Sequence, residues 1–326
     1  MTRPDINLRD RLPTLAARAR IVAEVRRFFD ERGFLEVETP ARVVCPGLEP
    51  HLVALPAGPD RWLRTSPELH LKRLLAAGAE RIYEIARSFR GDETGPWHMT
   101  EFTLLEWYRA NEGLDALVDD VHGLLRRCAE AAGADPSDVR GCDLTLAPEE
   151  ITVRDAVRAQ TGIDLAEHRD RGPLAERLAH EGIAVSPGDD WDDLFFKLFI
   201  ERVEPHLGRE RVTILSEFPA SQSALARVRV DPTWPVALRF EVFASGIELA
   251  NAFDELTDPM EQRRRHEADR AARAAAGREV PPLDEAFLAA LEAGCPPAAG
   301  IALGLDRLVA LVLGLTGARG TVAFPQ

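Results

Sequence analysis

Arg239–Phe240–Glu241–Val242–Phe243 turns at Ala244–Ser245–Gly246 into Ile247–Glu248–Leu249–Ala250–Asn251–Ala252–Phe253–Asp254–Glu255. Two runs of strand character around a short turn containing glycine predict an antiparallel hairpin, which sets the character of the sheet around it. A turn centred on Ala244–Ser245 puts Glu241 directly opposite Glu248. Facing like charges destabilise a strand pair by about 0.2–1 kcal/mol unless something neutralises them. A divalent cation carrying phosphates would do so, because hard oxygen ligands suit Mg²⁺. A solvated hairpin with two exposed acids fits the same pattern.

A second hairpin lies upstream. Arg81 to Arg90 and Glu101 to Arg109 read as strands around a polar loop from Gly91 to Thr100. Leu15, Ala19, Val22, Val25 and Phe29 recur at helical spacing and stop at Gly33. Phe34 to Pro40 then reads as a strand ended by proline. Arg61 to Thr65 forms a short strand, and Ser66–Pro67–Glu68 opens a helix reaching about Ala77. A serine cap, an early proline and an acid in the first turn agree on that start. Residues 111–213 read as mostly helical, Asp258 to Ala276 as a very charged helix, and Ala302 to Leu313 as the last strong helix. Strands joined by hairpins, with helices elsewhere, predict an antiparallel α+β domain and not a doubly wound sheet.

With 326 residues, 45% of them hydrophobic, the chain can bury a substantial core. Its net charge of −14, with no basic run, disfavours extensive contact with a phosphate backbone. Cys45, Cys128, Cys142 and Cys295 are dispersed without metal-type spacing, as expected of free thiols in a reducing compartment. Residues 1–20 lack the apolar segment of a signal peptide, and no apolar run approaches the roughly 20 residues a membrane span needs. The expectation is a cytoplasmic protein with no membrane partner. Lys72 and Lys197 are the only lysines.

Three segments carry chemistry. Alternation along the second hairpin puts Phe102, Leu104, Glu106 and Tyr108 on one face. A carboxylate and a phenol on an apolar face need partners, supplied either by an ammonium-bearing ligand or by an internal arginine. Arg90 closes a strand just before Asp92, Glu93 and His98, where a guanidinium can clamp a phosphate or simply meet solvent. Gly300 to Val309 is a glycine-bearing strand running into a helix, with Arg307 in the first turn. A cation there opposes the helix dipole, and either an anionic ligand or neighbouring Asp306 would compensate.

Together these segments resemble class II aminoacyl-tRNA synthetases. Phe34 to Pro40 is similar to motif 1; Arg87–Ser88–Phe89–Arg90 through Glu101 to Tyr108 to motif 2; and Gly304–Leu305–Asp306–Arg307 to motif 3. Thr65–Ser66–Pro67–Glu68 and Gly246 to Asn251 narrow the resemblance to the lysyl branch. Phe218 to Ala226, and Ala302 in place of a usual glycine, are similar to truncated relatives that attach lysine or (R)-β-lysine to a lysine of elongation factor P. The resemblance covers essentially the whole chain. It implies one class II catalytic domain over residues 1–326, an antiparallel β-sheet flanked by helices. It further implies a helical insertion at roughly 111–213 and no N-terminal OB anticodon-binding domain.

By the same resemblance the reaction is two-step acyl transfer using ATP and Mg²⁺. Arg90 would hold the α-phosphate and Arg307 the γ-phosphate, with Glu241 and Glu248 on Mg²⁺. Asp92, His98, Leu249 and Gly304 would complete the ATP contacts. Ser66, Pro67, Glu68, Asn251 and Ala302 would meet the amino acid, and Glu106, Tyr108 and Glu255 its side-chain ammonium. The implied partners are elongation factor P, lysine or (R)-β-lysine, and a second copy in a twofold homodimer, with no stable tRNA binding. Three departures stand out. Arg90–Gly91–Asp92 replaces Arg-Asn-Glu, His98–Met99 replaces His-Asn, and Asn251–Ala252–Phe253–Asp254–Glu255 replaces Asn-Gly-Phe-His-Glu. Met99 cannot make an asparagine's hydrogen bonds and is left out of the site. Direct tRNA charging, loading of another carrier, and a non-catalytic role remain alternatives.

Overall fold

The computed structural model describes residues 8–93 and 95–325. In chain order the elements begin with α1 (Leu8–Asp30), β1 (Leu35–Glu36), β2 (Arg42–Val43), β3 (Trp62–Leu63), α2 (Glu68–Ala76), β4 (Arg81–Phe89) and β5 (Glu101–Ala110). Then come α3 (Leu114–Ala132), β6 (Glu149–Thr152), α4 (Val153–Thr161), α5 (Arg171–His180), α6 (Trp191–Arg202), β7 (Thr213–Pro219), β8 (Val228–Arg229), β9 (Val236–Ala244) and β10 (Ile247–Asp254). The chain finishes with α7 (Pro259–Ala275), α8 (Glu285–Ala293), β11 (Ala298–Gly304) and α9 (Leu305–Val312).

The main sheet runs β1-β4-β5-β11-β10-β9-β7-β6, with β8 beside β9. From β4 to β7 every neighbour is antiparallel, while the outer pairs β1–β4 and β6–β7 are parallel. β11, late in sequence, enters between β5 and β10 and joins the two hairpins into one surface.

Each face of the sheet is covered differently. Leu105, Trp107, Ile301, Leu303, Phe240 and Val242 point to one side and pack with Ile21, Val25 and Phe28 of α1 and with Val121, Leu124 and Leu125 of α3. On the other side, Leu215, Ala237 and Phe243 meet α4, α5 and α6 through Val157, Leu178 and Phe195. That second cover stops at β9; farther along the same face α2 packs on Tyr108 and Ala298 through Leu71 and Leu75, and α8 meets Phe253, while the rest of the face over β10, β11 and β5 lines an open cavity.

Several sequence expectations need correction. The predicted strand from Phe34 to Pro40 shrinks to Leu35–Glu36, with Val37 donating one further hydrogen bond to the Tyr83 carbonyl. The helix after Ser66 starts at Glu68, with Pro67 as its cap residue and the Ser66 hydroxyl accepting from the Glu68 amide at 3.0 Å. Ala302 lies in β11 and not in a helix. The helical stretch at 111–213 is interrupted by β6, a strand too short to show periodicity, and its first helix, α3, belongs to the main core.

The largest correction concerns the hairpin. Ser245 and Gly246, with φ of 54° and 73°, form the two-residue turn, because the hairpin-favouring type I′ turn needs left-handed backbone at both central positions. Glu248 therefore pairs with Phe243. A bulge at Leu249 shifts the register again, so Glu241 faces Asn251 and not Glu248.

Candidate active site

The bare part of the sheet is a trough, and β11 is its floor. On the exposed side β11 presents Gly300, Ala302 and Gly304, nothing larger than a methyl group. Larger residues flank it in register. Tyr108, Gly300, Phe253 and Arg239 make one transverse row. Glu84, Glu106, Ala302, Asn251 and Glu241 make the next. The bulge at Leu249 lets Glu248 and Asn251, three residues apart, line the same cavity, which an unbroken strand would forbid. The enclosed space is about 370 Å³, the size of a small-molecule site.

Most of the expected site residues line this cavity: Ser66, Glu68, Arg90, His98, Glu106, Tyr108, Glu248, Leu249, Asn251, Glu255, Ala302, Gly304 and Arg307. Met99, set aside on its chemistry, lines it as well. Pro67, Asp92 and Glu241 do not. Asp92 is exposed with φ of 57°, and Glu93 faces the cavity in its place. Glu241 sits one strand beyond the wall, hydrogen-bonded by Arg239.

One end of the trough is built for anions. The Arg90 guanidinium rests over the Phe102 ring at 5.2 Å, its nearest ion-pair oxygen, on Glu93, is 3.8 Å away, and its buried Nε has no partner. Arg307 donates to the Glu248 carbonyl at 2.9 Å and to Glu248 Oε2 at 3.2 Å, and lies 2.7 Å from His98 Nε2. An arginine cannot accept, so Nε2 is the acceptor and His98 is neutral. Burial, reinforced by the Arg307 charge, pushes the His98 pKa down accordingly. Asp306 does not compensate Arg307. It accepts from the Thr103 amide at 2.7 Å and pairs with Arg18 at 2.6 Å, fixing α9 against β5 and α1.

The other end is built for cations. Burial, with nearby Glu68 adding to it, raises the Glu106 carboxyl to about 8, although a 2.6 Å hydrogen bond from Ser66 pulls it back. The Tyr108 hydroxyl donates to the same carboxyl at 3.3 Å. Gly300 explains how these groups fit. A Cβ there would lie 2.2 Å from Tyr108 Cε1 and 2.4 Å from Glu255 Oε1. The close approach that glycine permits is thus by the protein's own side chains. Asn251 Oδ1 and Glu255 Oε1 are buried without a hydrogen-bond partner, a costly state that a ligand donor would relieve.

Sequence reasoning missed Lys72, Glu49 and Glu93. Lys72 Nζ lies 2.6 Å from Glu68 and 2.5 Å from Glu255. Its place four residues after Glu68, as one of two lysines in the chain, was the available signal. Glu49 lies on a loop over the cavity mouth held by Arg273, which donates to the Glu49 and Leu52 carbonyls at 2.8 and 2.9 Å. Nothing in the local sequence marks that loop as part of the site.

Comparison with known proteins adds an independent line. Residues 5–326 match the family described as tRNA synthetases class II (D, K and N). An elongation factor P--(R)-beta-lysine ligase of Enterobacter sp. (strain 638) is 40% identical over 322 residues, covering 96% of this chain and 95% of that protein. Proteins of the same name from Erwinia tasmaniensis and Edwardsiella ictaluri are 42% and 41% identical, covering 96% and 95% of this chain and 95% and 94% of theirs.

Proposed function

The chain belongs to the class II tRNA synthetase family (D, K and N), and from that premise we propose that it activates lysine or (R)-β-lysine with ATP and transfers the acyl group to a lysine of elongation factor P. It is an ATP-dependent ligase. The observation that carries the specific reading is the polarity of one trough. Arg90 and Arg307 stand at one end, Glu68, Glu106, Tyr108 and Glu255 at the other, over a floor of Gly300, Ala302 and Gly304.

In the first step the amino acid's carboxylate attacks the α-phosphorus of ATP, forming the acyl-adenylate and releasing pyrophosphate. Arg90, whose buried Nε has no partner among the described residues and whose ion-pair contact to Glu93, at 3.8 Å, is a loose one, would take the α-phosphate. Arg307, held by Glu248, His98 and the Trp97 carbonyl, would meet the γ-phosphate from a fixed position. Little covalent chemistry is asked of the protein, and positioning with charge neutralisation supplies most of the acceleration. Mg²⁺ would offset phosphate charge, with Glu248 and Glu241 supplying part of its shell and phosphate oxygens and water the rest. Burial raises the Glu241 carboxyl to about 8, with Arg239, already ion-paired to it, pulling it back and Glu248 adding to the rise.

At the far end, Glu255 Oε1 and Asn251 Oδ1 are acceptors waiting for N–H donors. Glu106 and Tyr108 complete a receptor for a side-chain ammonium, while Glu68 and Asn251 would orient the amino-acid end. In the second step a lysine amine of the acceptor attacks the anhydride and expels AMP. Intact-mass analysis of elongation factor P incubated with the enzyme, ATP, Mg²⁺ and each lysine isomer tests the reading. A mass gain of one lysyl residue, dependent on ATP, is expected. An unmodified factor together with charged tRNA would overturn it.

A further inference from the structure

Lys72 has no part in the roles given above, yet it touches both ends of the substrate receptor. Its side chain is only 2% exposed, and its ammonium bridges Glu68 Oε1 at 2.6 Å and Glu255 Oε2 at 2.5 Å. Those carboxylates come from separate elements, Glu68 from the first turn of α2 and Glu255 from just beyond the end of β10. Lys72 itself lies on α2, one turn after Glu68. Without a cation between them, the two acids would repel each other in a buried setting. The ammonium hydrogen-bonds Glu68 Oε1 and stands in ion-pair contact with Glu255 Oε2, while Glu255 Oε1 is buried with neither kind of partner.

We propose that Lys72 is a positioning residue that fixes the separation of the Glu68 and Glu255 carboxylates, and so sets the distance between the two amines of the diamino acid the pocket accepts. This rests on the reading above that the trough binds a diamino acid with one ammonium near Glu68 and the other near Glu255. The internal ammonium ties the two subsites together before any ligand arrives, so a ligand meets a preset spacing and orders nothing on binding. Burial alone would strip the charge from Lys72, but Glu255 and Glu68 outweigh it and raise its pKa, keeping the tie charged. Lysine has five carbons between its amines, whereas ornithine and (R)-β-lysine have four, so the preset gap separates these two classes, a difference worth roughly 10–200-fold in discrimination.

The test is amino-acid-dependent ATP–pyrophosphate exchange with ornithine, lysine and (R)-β-lysine, comparing wild type, Lys72→Met and Lys72→Arg. Lys72→Met is expected to raise at least about tenfold the KM of whichever of lysine and (R)-β-lysine the wild type prefers, to leave the KM for ATP within about twofold, and to bring lysine and the two ligands of four-carbon spacing, ornithine and (R)-β-lysine, within about threefold of each other in kcat/KM. Lys72→Arg, whose longer planar cation resets the spacing, is expected to change the ornithine-to-lysine ratio while keeping exchange measurable. A merely structural lysine would not move that ratio. A folded Lys72→Met with wild-type KM and ratio overturns the proposal, and if Lys72→Met does not fold, an unchanged ratio in Lys72→Arg does so. Wild type without exchange on any diamino acid overturns the substrate reading itself and this proposal with it, whereas normal wild-type exchange with unaltered variants sinks only the role of Lys72.

Discussion

Glu106 and Gly300 show most directly how single residues make this trough selective. Glu106 faces Ser66, Tyr108, Glu68, Glu84 and, farther off, Arg90, and its carboxyl is raised to about 8 chiefly by burial. Only the ionised form attracts an ammonium, so the KM for lysine should fall as pH rises from 6.5 through 8 and then level off. Steady-state exchange across that range checks this, and Glu106→Gln should raise KM and flatten the profile. The same shift has a stability consequence. A carboxyl raised in the folded state contributes stability that is complete below its unfolded value, near 4.3, and is lost as pH rises through about 8. With Glu241 raised likewise, the ligand-free protein should melt at a lower temperature at pH 8.5 than at pH 6, which calorimetry reads. At Gly300 an added methyl has no room beside Tyr108 and Glu255. Gly300→Ala should cost about 1–3 kcal/mol in denaturant titration and raise KM for the amino acid more than for ATP. Glu255→Gln should abolish lysine-dependent exchange, because it removes the charge that would face the ligand's ammonium and one of the two charges that compensate Lys72.

At the scale of elements, the hairpin of β9 and β10 decides which side chains reach the trough. Its type I′ turn is testable. Gly246 has φ of 73°, so Gly246→Asn, which tolerates left-handed backbone, should be nearly neutral in urea unfolding, while Gly246→Val should cost about 1–2 kcal/mol or more. This element also shows what the sequence could and could not reveal. Alternation identified both strands, but the register depended on two features invisible to it. One was which residue pair would take positive φ. The other was an extra residue at Leu249 that buries its side chain while turning Glu248 toward the cavity. The motif-bearing strands β4 and β5 were legible because each runs nine or ten residues, whereas only the start of β11 read as strand before a helix was expected at Ala302. β6, with four residues at a parallel edge, was not legible. Among the expected site residues, Arg90, Glu106, Tyr108 and Arg307 stood out in the local pattern with alternatives open, and their roles came only from the family resemblance. Lys72 and Glu49 were hidden because their partners come together only through the fold, from α2, the loop before β3 and the end of β10.

At the scale of the molecule, one sheet separates support from chemistry: α1 and α3 fill one face, α4 to α6 close part of the other, and α2 and α8 border the trough on what remains. Leu35 on β1, within the segment similar to motif 1, is 61% exposed, and Leu12, near the start of α1, is 59% exposed. A twofold homodimer would cover them, so light scattering should give a dimer mass for wild type and a monomer for Leu35→Glu; a wild-type monomer would contradict that arrangement. No helix among the described residues is long and apolar enough to cross a membrane. The central claim is that nucleotide and diamino acid occupy one trough, oriented by opposite charge at its two ends. A crystal structure with a non-hydrolysable lysyl-adenylate analogue tests it most directly. The phosphate mimic is expected on Arg90 and the side-chain ammonium between Glu106, Tyr108 and Glu255; an analogue bound in the reverse direction, or outside the trough, would contradict it.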